Sequence, residues 1–431
     1  MSALQSNRKL DEALAEARAN VDRCTPDIPP DVALATHESL VGCYQNASRW
    51  TDVASAAEAG VEFARSVALA APLGGSLAFS WVDALGLLGR WSEAEALLPD
   101  IIDLFDHPAN GGYLGQAWGI PLVRQGRLED ARPLIDRTRV MLAASDWPSD
   151  RPWNVGAVAL FDAVDGRSDR AIELIDAQFA RCDTDATFAE AYLLSIGLEI
   201  LANINLAQRR PDADASARTD ETIERWMSHV LAPRQDDTIQ HAADIVDREQ
   251  AMAHLGRLRG ASDPERWAAI AEGWQDLGFA HDEATARFYC ADAIMSAKAR
   301  PAPSERASAR DQLGRARAIA ADLPAPPLLA LIDDLARRAR LRLASSPSST
   351  GRSRTTPSVL TSRERDVLAL LALGSTNGEI AAELFISTKT ASVHVSNILR
   401  KLRVANRIEA AHIARTSNEA DESDASTAHQ L

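Results

Sequence analysis

Lys389, Thr390, Ser392, Val393, His394, Ser396, Asn397, Arg400 and Lys401 crowd into "STKTASVHVSNILRKL", which begins at Ser387. Arg407 follows closely, and two of the four lysines of the chain lie in this stretch. Hydroxyls and amides can hydrogen-bond to base edges, while ammonium and guanidinium groups neutralise phosphates, so the chemistry on offer is nucleic-acid recognition. At about 100° per residue, Ala391, Val395, Ile398 and Leu402 share one face of a helix. Lys389, Val393, Ser396 and Arg400 share the opposite face, flanked by Ser392 and Asn397. An apolar Val393 among polar neighbours gains little from facing water, but it suits contact with a thymine methyl.

Catalytic constellations are missing by comparison. No glycine precedes a lysine anywhere, which excludes a phosphate-cradling P-loop. The nine histidines form no H-E-x-x-H, and no G-x-S-x-G elbow exists. Carboxylates are scattered over helical patterns, where a solvated face is the expected role. Neither an enzyme nor a cofactor or metal site is expected. Cys24, Cys43, Cys182 and Cys290 are far apart with no C-x-x-C pair, so reduced, mostly buried thiols are expected.

The elements that would position the basic stretch can be read from its flanks. Thr361 with Glu364 makes a capping box for a first helix to about Leu373, with Val367, Leu368 and Leu371 turned inward, ended by Gly374. Thr376 with Glu379 opens a short second helix, Ser387 caps the third, and Asn406 with Glu409 opens a fourth. A short helix, a tight turn through Phe385 and Ile386, and a longer third helix make a helix-turn-helix.

These residues resemble the LuxR/FixJ-type helix-turn-helix domain of bacterial transcription regulators, through "LTSRERDVL", "EIAAELFIS", "KTASVHVSNILRKL" and "NRIEAA". The resemblance implies a third helix in the major groove of double-stranded DNA and a homodimer on paired half-sites, its contact commonly made by the fourth helix. It casts Ser392, Val393 and Ser396 as base-facing, with Lys389, Thr390, His394, Lys401 and Arg407 holding phosphates or supporting the helix. The chain departs from the family pattern at "KTAS", where T-V-K is usual and Thr390 is followed by Ala391 and Ser392. Losing that lysine would cost about 1–3 kcal/mol of discrimination at one base pair if it read a base.

The rest of the chain has a different character. "LASSPSSTGRSRTTPSV", Leu343 to Val359, has linker composition. The expected division is a body at 1–344, a linker at 345–356, the helix-turn-helix domain at 357–416 and an acidic tail at 417–431. The body holds 36 basic and 52 acidic residues, a net of −16, whereas Pro357 to Thr416 holds eight basic and five acidic, a net of +3. A nucleic-acid footprint must therefore lie in the C-terminal block.

The body is rich in alanine and leucine at helical spacing, as in "EAEALLPDIIDLF" and "RAIELIDAQF", and lacks hairpin signatures, so the whole protein is expected to be all-α. "LLGRWSEAEALL", "VRQGRLEDARPLI" and "AVDGRSDRAIELI" repeat a Gly-Arg turn before a helix, 37 residues separating Gly89 from Gly126 and 40 separating Gly126 from Gly166. "NASRWTDVASAA" fits weakly upstream. This period predicts a tetratricopeptide-like solenoid of helix pairs, with glycine in the left-handed position and Ser92 or Ser168 as N-caps. Around "AQRRPDADASARTD" an exposed loop is expected.

Helical repeats before a LuxR-type domain resemble the C-terminal half of the large MalT-like regulators, without their ATP-binding module. The expectation is either sensing without nucleotide or a shortened regulator or fragment. No alternating β/α pattern of a receiver domain appears, so phosphorelay control is not expected. The N-terminus has no signal-peptide pattern and no run of 18 apolar residues occurs, so a cytoplasmic protein away from membranes is expected. The functional expectation is a sequence-specific transcription regulator. An unknown ligand or partner on the concave face of the repeats would control it, and RNA polymerase is a further candidate partner. The rival is a repeat-based interaction adaptor with a non-functional helix-turn-helix, which a spoiled outer face of the third helix would mark.

Overall fold

The computed structural model describes residues 3–25, 27–67, 74–105, 112–144, 151–181, 189–207, 213–230 and 242–343, together with Val367, Leu368, Leu370, Ile380 and Val395. The chain divides into two compact units, Met1–Ser346 and Pro347–Leu431. Among the described residues there are helices and no strands.

The first unit opens with α1 (Ala3–Asp22), α2 (Pro30–Asn46), α3 (Trp50–Ser66), α4 (Gly75–Leu87) and α5 (Trp91–Ile101). One π turn at Gly115–Gly119 leads into α6 (Ile120–Arg124). Then follow α7 (Leu128–Ala144), α8 (Arg151–Val164), α9 (Ser168–Phe179), α10 (Ala189–Ala207) and α11 (Ala213–Val230). The unit ends with α12 (Ala242–Leu258), α13 (Pro264–Leu277), α14 (Ala280–Ser296), α15 (Pro303–Asp322) and α16 (Pro326–Arg338).

The repeated turns close alike. Gly89, Gly126 and Gly166 have φ of 74°, 76° and 84°, the left-handed region that a Cβ disfavours. Each reverses the chain so that the next N–H reaches back five residues: Arg90 to the Leu85 carbonyl at 2.9 Å, Arg127 to Leu122 at 2.9 Å, Arg167 to Asp162 at 2.7 Å. This is the Schellman closure, which satisfies carbonyls the helix end leaves free. The weak upstream fit joins the set, since Ser48 holds φ 55° and Arg49 donates to Tyr44 at 2.9 Å. Gly278 and Phe279 repeat the closure onto Trp274.

Ser92 and Ser168 do not cap. Arg90 and Arg167 occupy the N-cap positions without side-chain caps, because the helices start two residues earlier than a Ser92 cap requires and one earlier than a Ser168 cap requires. Arginine takes a different role there: Arg49, Arg90 and Arg127 each pair with an acid three residues on, Asp52, Glu93 and Asp130. The loop expected around "AQRRPDADASARTD" also needs correction, since Ala213 onward belongs to α11. Its inner positions Ile223, Trp226 and Val230, spaced 3 and 4, are buried, and that stripe holds the helix. Of the three described thiols, Cys290 is buried while Cys24 and Cys43 are half-buried, fewer buried than expected.

The early turns pack against the late helices. A Cβ on residue 89 would collide with the Leu323 side chain, and one on Gly126 would lie 3.1 Å from Pro327 Cγ. Leu88 reaches to within 3.1 Å of the equivalent position on Gly278. Trp50 meets Phe279 edge-on at 5.5 Å, and Arg124 bridges to Asp282 at 2.6 Å. Helices far apart in sequence thus close around an interior space.

Candidate functional site

In the C-terminal unit, Val367 and Ile380 are fully buried and Val395 is 8% exposed, all three in helices. These are positions that periodicity turned inward or placed on the short second helix. Leu368 is half-buried. The residues predicted to meet DNA, Lys389, Thr390, Ser392, Val393, His394, Ser396, Asn397, Arg400, Lys401 and Arg407, lie outside the described residues, as do the capping boxes, Leu371 and Gly374.

The body offers a second site. A cavity of about 1840 Å³ lies inside it, larger than a typical small-molecule pocket. Its wall is built from one face of successive helices. Ser76, Phe79, Asp83 and Leu87 on α4 reach it at spacings of 3, 4 and 4. Tyr113, Gln116, Ile120 and Arg124 do the same through the π turn and α6. From α10 come Tyr192, Ser195 and Glu199; from α12, Asp244, Asp247 and Gln250; and from α14, His281, Asp282 and Thr285. Spacings of 3 and 4 keep each set on one helical face.

Carboxylates outnumber cations on this wall, with seven acids against Arg124 and Arg137. Arg124 is engaged by Asp282 at 2.6 Å. Burial, reinforced by Arg124, pushes His281 well below the ordinary imidazole range, so it stays neutral and adds no compensating charge. Asp83 accepts a hydrogen bond from Gln116, yet burial pushes its carboxyl up to about 7. Asp247 is 5% exposed and lies well above the ordinary range, first through burial and then through Asp282 and Asp244. No described residue donates a hydrogen bond to it. Asp244 gives one oxygen to Arg248 at 3.1 Å, and its other oxygen is buried without a partner.

Elsewhere much of the wall is internally paired, although the buried Trp50 indole N–H has no partner among the described residues. The Tyr289 hydroxyl donates to Glu199 at 2.7 Å, and Ser76 donates to Glu38. Gln250 donates to Ser195 at 3.0 Å while its carbonyl accepts from the Trp274 indole at 2.8 Å. Trp274 stacks on Phe279 at 5.3 Å, and Trp153 lies 4.5 Å from Tyr192. The arrangement can hold a molecule that is both apolar and polar, and its strongest unmet demand is for hydrogen-bond donors.

Sequence reasoning foresaw a concave face but named none of its side chains. The signal was present in α10, "AEAYLLSIGLEILANINLA", where Tyr192, Ser195 and Glu199 interrupt the otherwise apolar stretch from Ala191 to Ala202 at spacings of 3 and 4. Asp83 stands alone in the same way in "GSLAFSWVDALGL".

Comparison with known proteins places the C-terminal unit. Residues 358–414 match the family described as bacterial regulatory proteins, luxR family. The chain is 60% identical over 55 residues to the uncharacterized transcriptional regulatory protein YhcZ of Bacillus subtilis, covering 13% of this chain and 26% of that protein. It is 54% identical over 52 residues to the transcriptional regulatory protein LiaR of the same organism, 12% of this chain and 25% of LiaR. With the spore germination protein GerE of Bacillus subtilis it shares 52% identity over 52 residues, 12% of this chain and 70% of GerE. The chain thus spans about a quarter of the length of the first two relatives and most of the third.

Proposed function

We propose that this chain, which belongs to the luxR family of bacterial regulatory proteins, is a sequence-specific DNA-binding transcription regulator controlled through its helical body. The observation that carries the reading is the family match across 358–414, a stretch that includes the whole basic helix pattern. Buried Val395 supports the phase on which the site assignment depends. On an unbroken helix, Val393 and Arg400 fall roughly 160° and 140° from Val395. That phase suits an outward Val393 and Arg400, while the family resemblance makes Ser392, Val393 and Ser396 base-facing and gives Lys389, Thr390, His394, Lys401 and Arg407 the phosphate or supporting contacts, with Asn397 and Arg400 on the same surface.

A module with few phosphate contacts binds weakly alone, because counterion release scales with the number of phosphates neutralised. Two modules brought together on paired half-sites raise the effective concentration of the second, so the reading includes a homodimer on DNA. The body would set that pairing in response to an effector in its cavity.

The test is binding of the full chain to genomic DNA fragments across a salt series. A subset of fragments should be selected, with affinity falling steeply as salt rises. Val393→Glu places a carboxylate against the groove and should abolish the selection, while Arg400→Ala should weaken all fragments alike and flatten the salt slope by about 1 per module. Equal binding to every fragment, unchanged in Val393→Glu, would overturn the reading.

A further inference from the structure

We propose that the body cavity receives an organic cation, an aromatic or aliphatic molecule bearing a protonated amine, with its charged group at Asp247 and its apolar part against Trp274, Phe279 and Trp50. The proposal deepens the regulatory reading above by naming the class of effector, and it rests on that reading only for its consequence in transcription.

Charge is the first argument. Asp247 is 95% buried, faces Asp244 and Asp282, and accepts no hydrogen bond from the described residues. The nearby guanidinium, Arg124, is already held by Asp282 at 2.6 Å. A buried carboxylate without a donor is costly, so burial by itself favours the protonated form of Asp247, and a cation beside it would favour the charged one. A ligand hydroxyl would donate one hydrogen bond but leave the carboxylates facing each other. A ligand ammonium donates up to three and also supplies the missing charge.

Geometry is the second argument. Asp247 and Gln250 are three residues apart and so lie on one face of α12, and Gln250 accepts from the Trp274 indole at 2.8 Å. Trp274 stacks on Phe279 at 5.3 Å with an interplanar angle of 11°, and Trp50 meets Phe279 edge-on. An aromatic run therefore begins beside the unpaired carboxylate. Such faces attract both apolar groups and cations. An anion would meet a wall on which acids outnumber cations and is disfavoured.

The experiment is calorimetric titration of the purified full chain, without DNA, with octylamine and tryptamine and with their uncharged counterparts octanol and N-acetyltryptamine; octanoate is the anionic control. The amines should bind at least tenfold tighter than their uncharged counterparts, and octanoate should not bind. In Asp247→Asn the amine affinity should fall at least tenfold and the preference for charge should disappear. Failure of both amines to bind, binding of octanol or octanoate as tight as octylamine, or amine affinity unchanged in Asp247→Asn would each overturn the proposal. The comparison within the unaltered chain decides the question even if Asp247→Asn does not fold. Because no DNA is present, a negative result leaves the regulator reading standing, and a failure of DNA selection leaves an amine site standing.

Discussion

Two aspartates of the body are buried to a similar depth and live in opposite surroundings. Asp162 on α8 is 0% exposed and receives Arg139 at 2.6 Å and two nitrogens of Arg167 at 2.9 and 2.8 Å. Arg170 stands 3.9 Å from its second oxygen. Beside it, the Arg132 guanidinium hydrogen-bonds to Asp165 and holds that carboxyl below its ordinary range. Asp247 on α12 has like charges for neighbours and no hydrogen bond from a described residue. The first carboxylate has one oxygen claimed by two arginines, its other oxygen being buried without a hydrogen-bond partner, and the second is left for something else. Depth of burial alone therefore does not distinguish a structural acid from a binding one; the presence of a partner does.

The comparison breaks most sharply with one substitution made at each kind of site. Asp162→Asn keeps the shape but strips the charge from beneath Arg139 and Arg167, and breaking a buried pair by removing one partner costs about 3–5 kcal/mol. Urea unfolding should show a loss of that size. A loss below about 1 kcal/mol would mean that Asp162 is no more committed than Asp247.

Asp83→Asn makes the same change on the cavity wall and should act in the opposite direction. Its folded carboxyl titrates at about 7, above the ordinary range of the unfolded chain. From about pH 4 to 7 the folded state holds a proton that the unfolded state has released, so stability falls as pH rises through that window. Above about pH 7 the cost is fully present. Removing the ionisable group should raise stability at pH 8 by on the order of 1–3 kcal/mol and change it little at pH 4. Thermal melts at the two pH values check this, and a pH-independent effect would show that burial of Asp83 is not what shifts it. Gln116 can turn its amide to serve the new side chain, which keeps the comparison one of charge.

The same contrast explains what could be read ahead of the structure. In the C-terminal unit, core and candidate reading surface alternate within one short helix, so Val395 could be assigned inward and Val393 outward from spacing alone. Family identity added to that local pattern. The turns at Gly89, Gly126 and Gly166 were legible for the same reason, since a left-handed residue followed by arginine is a local device. The cavity is not local. Asp83, Arg124, Tyr192, Asp247 and Asp282 come from five helices, each contributing only a few polar residues, and only the packing of early turns on late helices brings them together. The Asp162 cluster stands between these cases: Arg167 is five residues away, but Arg139 comes from the preceding helix.

Gly166 sharpens the comparison by its coupling. It holds φ 84° with no atom within 4 Å of where a Cβ would sit, so Gly166→Ala meets backbone strain and no collision, a cost of about 1–2 kcal/mol. The turn it forms sends the Arg167 N–H to the Asp162 carbonyl and the Arg167 side chain to the Asp162 carboxylate. Strain at residue 166 therefore loosens the grip on Asp162. Combining Gly166→Ala with Asp162→Asn should cost less than the sum of the two, by roughly 0.5 kcal/mol or more, because the second change removes an interaction the first has already weakened. Combined with Asp83→Asn, which shares no partner with that turn, the effects should add to within about 0.5 kcal/mol. Additivity in both pairs would mean that Arg167 is held by something other than its turn, and that the Asp162 cluster is a set of separate contacts instead of one unit.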